Sequence, residues 1–348
     1  MSIIVLRLPD VKRKTEERPQ KCPYCGGETF QGWGGVSKAV KDSRHRRVRV
    51  HRYRCCHCRR TFRHYPQGVD RATQTLRLRK LTALCWVLGL SLRGVCAVFA
   101  AFGVSISHMT VWRDVQEQAR QQQKRRHWRP VRVLGVDGAY PLGWGKKQPV
   151  LIAVDIGRGD PVAVGYVDEH DPRAVERFLK PLVQRLGVSV IVSDDLHSIR
   201  TAANKLAVEH QVCQFHVRRW VGRTIKHLRD TLPEEWLWVM DETQRLIDEL
   251  PVDGDRQLFD LWKQVAVPRK GTGHPLTPVD RLRLLLIRLS ENWHHYRVFD
   301  WQPEVPWTNN ITEQTIGRMK MRSRTVRGFK SRQGMWAGLL LAGLGASW

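Results

Sequence analysis

The chain has 348 residues, 42% of them hydrophobic, which is enough for two or three domains with real cores. It carries 59 Lys and Arg against 33 Asp and Glu, a formal charge of +26 and a sequence pI near 10.4, so its natural partner is an anionic polymer. No apolar run is long enough to span a bilayer, and MSIIVLRLPDVKRK lacks the order of a signal peptide, so we expect a cytoplasmic, nucleoid-associated protein without membrane contact.

The charge is uneven. Residues 1–130 hold 28 Lys and Arg against 8 Asp and Glu, and the remainder holds 31 against 25. The front third therefore reads as the electrostatic grip, and the rest as an ordinary enzyme domain.

Residues 1–20 carry mixed charge and two prolines and read as a partly ordered arm. In residues 21–70, Cys22/Cys25 and Cys55/Cys58 form two C-x₂-C knuckles whose thiolates can reach one tetrahedral Zn²⁺. The long interval between them predicts a β-hairpin over KAVKDSRHRRVRVHRYRCC, with alternating Arg and Val exposing a basic face. Cys56 and His57 are competing ligands, whereas Cys85 and Cys96 fall in apolar helical runs and read as core.

Residues 71–130 read as helices and a linker. A first helix runs from Leu76 to Leu88, and Gly89 closes it. Ser91 can cap a second, closed by Gly103, and Ser105 or Ser107 can start a third, with Val111, Trp112 and Val115 inward. Short helices joined by Gly-containing turns describe a helix-turn-helix, whose later helix enters the major groove. His108, Thr110 and Arg113 are then the candidate base readers. A plain three-helix core without DNA contact is the alternative.

From residue 131 short β-rich runs alternate with helices, in the order β-β-β-α-β-α-β, followed by a Trp-rich helical stretch over about 217–305. Asp137 ends the apolar run of RVLGVDGAY, Asp194 ends VSVIVSDDLH, and Glu313 begins a helix in TNNITEQTIGRMK. Two strand-end carboxylates and one from a late helix can converge on a pair of divalent cations, the arrangement that serves phosphodiester displacement. Asp194 is favoured over Asp195 because it directly follows the alternation Val188, Val190, Val192, and Asp155 reads as a turn residue. Trp293, Trp301 and Trp307 are assigned to packing.

This order, with carboxylates at those three places, resembles the RNase H-like domain of DDE transposases over residues 131–348. Cys213-Gln-Phe-His216 looks like the C/D-x₂-H signature of Mutator-like and related bacterial insertion-sequence transposases. Asn309-Asn310-Ile-Thr-Glu313 with its basic tail looks like their NN-x₂-E segment. The resemblance implies an RNase H-like mixed sheet with an all-α insertion, behind a zinc ribbon and a helix-turn-helix. It implies a catalytic triad of Asp137, Asp194 and Glu313 holding two Mg²⁺ (or Mn²⁺), and Cys213 and His216 in support. Arg318, Lys320, Arg322, Arg324 and Lys330 would grip phosphates. The implied activity is binding of the ends of a mobile element, DNA cleavage and strand transfer, performed on double-stranded DNA by a homodimer or larger assembly. A catalytically inactive DNA-binding regulator and a nuclease or resolvase without strand transfer are the competing readings.

Overall fold

The computed structural model describes residues 8–15, 17–125, 129–141, 149–266, 275–325 and 328–344. The first seven residues of the expected arm and residues 126–128 of the linker lie outside these. The chain divides into two compact units, one of Met1–His127 with Arg318–Trp348 and the other chiefly of Trp128–Pro141 with Lys146–Gly317.

In the first unit an antiparallel sheet is built from β1 (Phe30–Ala39), β2 (Arg47–Cys55) and β3 (Thr61–His64), in the order β1-β2-β3. The β1–β2 pair is the expected hairpin. Val48 and Val50 are buried while Arg47 and Arg49 are exposed, so the alternation puts apolar side chains on one face and charge on the other. Val48 and Val50 pack with Val11, Val40 and Val69. Part of the expected arm is therefore structured: Val11 is buried, Arg49 N–H donates to Arg13 O, and Lys12 N–H donates to Gln67 O. The arm docks because one apolar side chain lets it complete that small core.

Three helices follow: α1 (Leu76–Val87), α2 (Leu92–Ala101) and α3 (His108–Arg125). Each begins at a hydroxyl cap. Thr75 Oγ1 accepts from Leu78 N–H, Ser91 Oγ from Gly94 N–H and Ser107 Oγ from Thr110 N–H. Val111 and Val115, one turn apart on α3, are fully buried, which sets the inward stripe of that helix.

The second unit contains β4 (Val133–Ala139), β5 (Val150–Asp155), β6 (Asp160–Gly165), α4 (Pro172–Leu186), β7 (Val190–Ser193), α5 (His197–Lys205) and β8 (Glu209–Val212). This is the expected succession. The strands form a mixed sheet in the order β6-β5-β4-β7-β8, with β4, β7 and β8 parallel and β5 antiparallel to β4 and to β6. One face of the sheet packs α4 and α5 through Leu134, Val136, Ile191, Val175, Leu179 and Ile199. β7 is covered on both sides, and its three apolar residues Val190, Ile191 and Val192 are all fully buried.

The helical insertion comprises α6 (Gln214–Arg229), α7 (Leu237–Glu249), α8 (Gly254–Gln264), α9 (Pro278–Glu291) and α10 (Trp293–Tyr296), around a core that includes Val221, Met240, Leu246, Leu258, Leu286, Trp293 and Tyr296. It closes the exposed edge at β8, where Gln211 Oε1 accepts from Phe299 N–H at 3.1 Å and His210 O lies 3.1 Å from His295 Nδ1. Trp293 is core, as expected, but Trp301 and Trp307 are 44% and 53% exposed, and Trp307 lies beneath the Arg218 guanidinium.

Two helices end the described chain, α11 (Asn310–Thr325) and α12 (Arg332–Gly343). Residues from Arg318 onward belong with the first unit, because the nearly all-apolar α12 packs against α3 and α1. Gly334 and Gly338 permit this, since a Cβ at either would collide with the rings of Trp112 and Phe329 respectively. Among the described residues, no helix is long and apolar enough to cross a membrane.

Candidate polynucleotidyl-transfer site and zinc cluster

The four cysteines of the two knuckles converge, their Sγ atoms all lying within 4.8 Å of one another. Cys22 Sγ and Cys58 Sγ are 3.8 Å apart, and Cys25 Sγ and Cys55 Sγ 3.7 Å. Tetrahedral coordination with Zn–S bonds of about 2.3 Å requires sulfur separations of about 3.8 Å, so the donor set fits zinc. Gly26, at φ +74°, supplies the left-handed turn that lets its N–H donate back to Cys22 O. Cys56 and His57 stay outside the cluster and are exposed. Cys85 and Cys96 are half-buried.

In the second unit the parallel register Val133↔Val190, Leu134↔Ile191, Gly135↔Val192 sets the geometry of the site. Continued by two residues, it places Asp137 level with Asp194 on strands about 4.8 Å apart. Asp137 is not terminal, since β4 continues to Ala139, but it is half-buried near that end of the sheet. Alternation puts it on the same face as Gly135, where α11 begins. Gly135 is required there, because a Cβ would collide with Thr312 Oγ1. Asn309 Nδ2 donates to Val136 O at 3.3 Å, and Asn309 N–H donates to Cys213 Sγ at 3.2 Å. The start of α11 is thus clamped onto β4 and onto the turn after β8, which carries Glu313 to the sheet.

Glu313 Oε1 lies 3.8 Å from His216 Nε2, and donor atoms of Cys213, His216 and Glu313 all lie within 4.8 Å of one another. The hydrogen bond with Cys213 raises the His216 imidazole to about 9 against the effect of burial, and the charges of Asp194, Cys213 and Glu313 add to the rise. Burial alone would raise the Cys213 thiol, yet hydrogen bonds with His216 and the backbone bring it below its ordinary value. The imidazole thus favours its protonated form beside Glu313.

Asp194 and Asp195 sit in opposite circumstances. Both oxygens of Asp195 are taken, one by Arg200 and the other by Arg288 at 2.5 Å, and its side chain is 4% exposed. Asp194 Oδ1 is buried with no hydrogen-bond partner. An orphaned carboxylate oxygen is an atom a divalent cation would satisfy, and carboxylate oxygens suit Mg²⁺ or Mn²⁺; the donor group whose atoms lie within 4.8 Å of one another here is Cys213, His216 and Glu313. Asp155 is the last residue of β5 and opens the turn to β6, with Gly157 N–H donating to its Oδ1 at 2.9 Å.

A further carboxylate stands here that the sequence pattern did not single out. Glu169, in the loop between β6 and α4, lies over Gly138, where any Cβ would collide with Oε2. Burial raises it above the ordinary carboxylate range, with the charges of Asp194 and Asp168 adding and His170 and Tyr140 opposing. Only the adjacent Asp137-Gly138 pair hinted at a close approach.

Of the expected DNA contacts, His108 and Arg113 are exposed on the first turns of α3, while the Thr110 hydroxyl, 2.9 Å from Ser107 Oγ, is engaged in the helix cap. Arg318, Arg324 and Lys330 are exposed and Lys320 is half-exposed. Arg322 is not available to DNA. It is 1% exposed, stacks 4.1 Å over the Trp86 ring and donates to Leu90 O, and burial lowers its guanidinium to about 10.

No protein of curated function matches the chain. Among solved structures, part of the chain is similar to the catalytic core domain of BIV integrase at 17% identity, over 46% of this chain and 83% of that one, with a TM-score of 0.20, too slight a likeness to bear on function. The model of the IS66 transposase family matches residues 157–337, which contain Asp194, Cys213, His216 and Glu313. The match is to IS66 rather than to the Mutator-like elements whose signature Cys213 and His216 resemble. Since it spans more than half of the chain, the chain belongs to the IS66 family of transposases.

Proposed function

We propose that this transposase binds the ends of a mobile DNA element and catalyses divalent-cation-dependent cleavage and strand transfer, with Asp137, Asp194 and Glu313 as its carboxylate triad. The observation that carries this is the grouping of Glu313 with Cys213 and His216, near enough to Asp194 for its charge to act on His216, with one Asp194 oxygen buried and unpartnered and Asp137 level with it by register. A divalent cation bound there supplies positive charge to the phosphodiester and to the attacking and leaving oxygens. The side chains do the rest. Asp137 lies on β4 and Asp194 directly follows the parallel strand β7, and α11, held to β4 through Asn309, would bring Glu313 towards them. His216 holds a proton next to Glu313, offsetting carboxylate repulsion while DNA is absent. No Ser, Cys or Tyr nucleophile is needed, because each step is a direct displacement at phosphorus.

Recognition falls to the front of the chain. The zinc ribbon and the exposed His108 and Arg113 would read the element ends, with Thr110 holding the helix start. Arg318, Lys320, Arg324 and Lys330 would hold phosphates without reading sequence. Two ends must be paired for the element to move, so the working form is a homodimer or larger assembly.

The test is cleavage and strand transfer with DNA carrying the element's ends, in Mg²⁺ or Mn²⁺. Wild type should nick the ends and join them to target DNA. Asp137→Asn, Asp194→Asn and Glu313→Gln should do neither while still binding the ends. Cleavage without joining would assign a nuclease instead, and end binding without cleavage would assign a DNA-binding regulator.

A further inference from the structure

We infer that α6 is the track along which an unpaired DNA strand enters the site, with Phe215 stacking on a base and Arg219, Arg223 and Lys226 meeting the phosphates beside it. The inference rests on the transposase site proposed above and adds to it a binding surface and the form of DNA it takes. The helix starts at the site, since its third residue is His216, whose Nε2 lies 3.8 Å from Glu313 Oε1. It buries Val217, Val221, Ile225 and Leu228 in the core of the insertion. At 3.6 residues per turn, positions 215, 219, 223 and 226 fall within about 80° of one another, on the side away from that core. All four residues are exposed. The row runs about 16 Å along the helix at 1.5 Å per residue, long enough to meet several phosphates of one strand.

This row is cationic without compensation. No Asp or Glu occurs in α6. The insertion pairs other cations with acids, Arg218 with Asp248, Arg229 with Asp241, Arg245 with Glu242 and Glu249, and Lys263 with Asp260. Arg219, Arg223 and Lys226 make no ion pair among the described residues, and the Arg219 guanidinium lies 5.9 Å from the centre of the Phe215 ring. That ring stands 5.6 Å from the His216 ring, edge to face. A second exposed ring, Trp307, stands at the same end of the helix, its carbonyl accepting from Gln214 N–H at 2.8 Å. A phenyl ring cannot read base edges by hydrogen bonding, and bases inside a duplex already stack on one another. An exposed ring flanked by uncompensated cations, next to a phosphodiester site, matches an unpaired base with its charged backbone.

The experiment measures fluorescence anisotropy with the purified full-length protein, without divalent cations, on labelled probes of one arbitrary sequence: a blunt duplex, and the same duplex with a splayed, unpaired end. Wild type should prefer the splayed probe. Phe215→Ala should weaken binding of that probe by about five-fold or more, the low end of what one stacked base contributes, while Phe215→Tyr, which keeps a ring, should bind as wild type. Arg223→Ala and Lys226→Ala should each reduce the slope of log binding constant against log salt by about 0.7 on the splayed probe. Arg256→Ala, which removes an exposed arginine of α8, should change neither quantity. Circular dichroism confirms folding; if Phe215→Ala fails to fold, Phe215→Leu, which keeps apolar bulk without a ring face, takes its place. Wild-type affinity and slope in the Phe215, Arg223 and Lys226 variants overturn the track, as does equal weakening on both probes by Phe215→Ala. Unchanged DNA binding by Phe215→Ala with loss of self-association in sedimentation makes Phe215 a subunit contact and overturns the track too. The triad fails separately: a wild type that shows the predicted splayed-probe behaviour but never cleaves end DNA in Mg²⁺ keeps the track and loses the catalysis.

Discussion

Replacing Asp194 and Asp195 separately by Asn should give opposite results. Asp195 holds Arg200, whose side chain is 14% exposed, and Arg288, which is half exposed. Breaking a buried pair from one side costs about 3–5 kcal/mol, because the other charge is left unpaired, whereas an exposed pair contributes at most about 1 kcal/mol. With Arg288 discounted, Asp195→Asn should lose about 3 kcal/mol. For a unit of this size each kcal/mol moves the melting temperature by about 2–4 °C, so the expected drop is roughly 6–12 °C. Asp194 has no such ion pair among the described residues, and one of its oxygens is buried without a hydrogen-bond partner there, so Asp194→Asn should melt no lower than wild type. The assay is differential scanning calorimetry with and without Mg²⁺, beside cleavage of end DNA below both melting temperatures. Asp195→Asn should cleave while melting early, and Asp194→Asn should fail to cleave and lose the stabilisation Mg²⁺ gives wild type. If Asp195→Asn keeps its melting temperature and loses cleavage while Asp194→Asn cleaves normally, the active-site register is wrong by one residue.

Freshly purified protein should contain one tightly held zinc per chain by elemental analysis, and Cys22→Ser or Cys55→Ser should remove it, unfold the ribbon and weaken specific end binding. Lys320→Ala and Arg324→Ala should each reduce the slope of log binding constant against log salt by about 0.9, while Arg322→Met should leave that slope unchanged and lower the melting temperature, as a buried side chain over Trp86 requires. Arg113→Ala should reduce discrimination between end and random duplex by about 1–3 kcal/mol in competition binding, and uniform weakening would make α3 a structural helix. Asp42, buried against Arg77 and Thr75, is held at about 2, below its ordinary 3.8; burial opposes this shift and the bonds to Arg77 and Thr75 drive it. Because the folded value is depressed, the stability it contributes is present above pH 3.8 and lost as pH falls towards 2, so Asp42→Asn should flatten the melting-temperature profile between pH 4 and 2.

Features that follow from spacing along one strand or one knuckle were legible in the sequence. Within β7, Val190 and Val192 share one cluster and Asp194 continues their alternation, whereas Val188 precedes the strand and packs in the other cluster with Ile191. The C-x₂-C pairs bring thiols together by local geometry. Glu169 was not legible, since its place depends on a loop crossing β4, and the sequence records only that residue 138 is small.

Arg322 shows how a signal can be present and still be misread. Arg318, Lys320, Arg322 and Arg324 recur every second residue, and successive members of such a run lie about 200° apart around a helix, so they cannot share a face. The buried residues of α11 are Thr312, Thr315, Ile316, Met319, Arg322 and Ser323, spaced by three and four. Arg322 falls on that stripe. Its charge suggested phosphate, but its helical phase put it in the core, where a ring face, a hydroxyl and a carbonyl help make a buried guanidinium tolerable. Phase also explains the burial of α12: RQGMWAGLLLAG is apolar on every side after its first turn, and such a helix must be enclosed rather than laid on a surface.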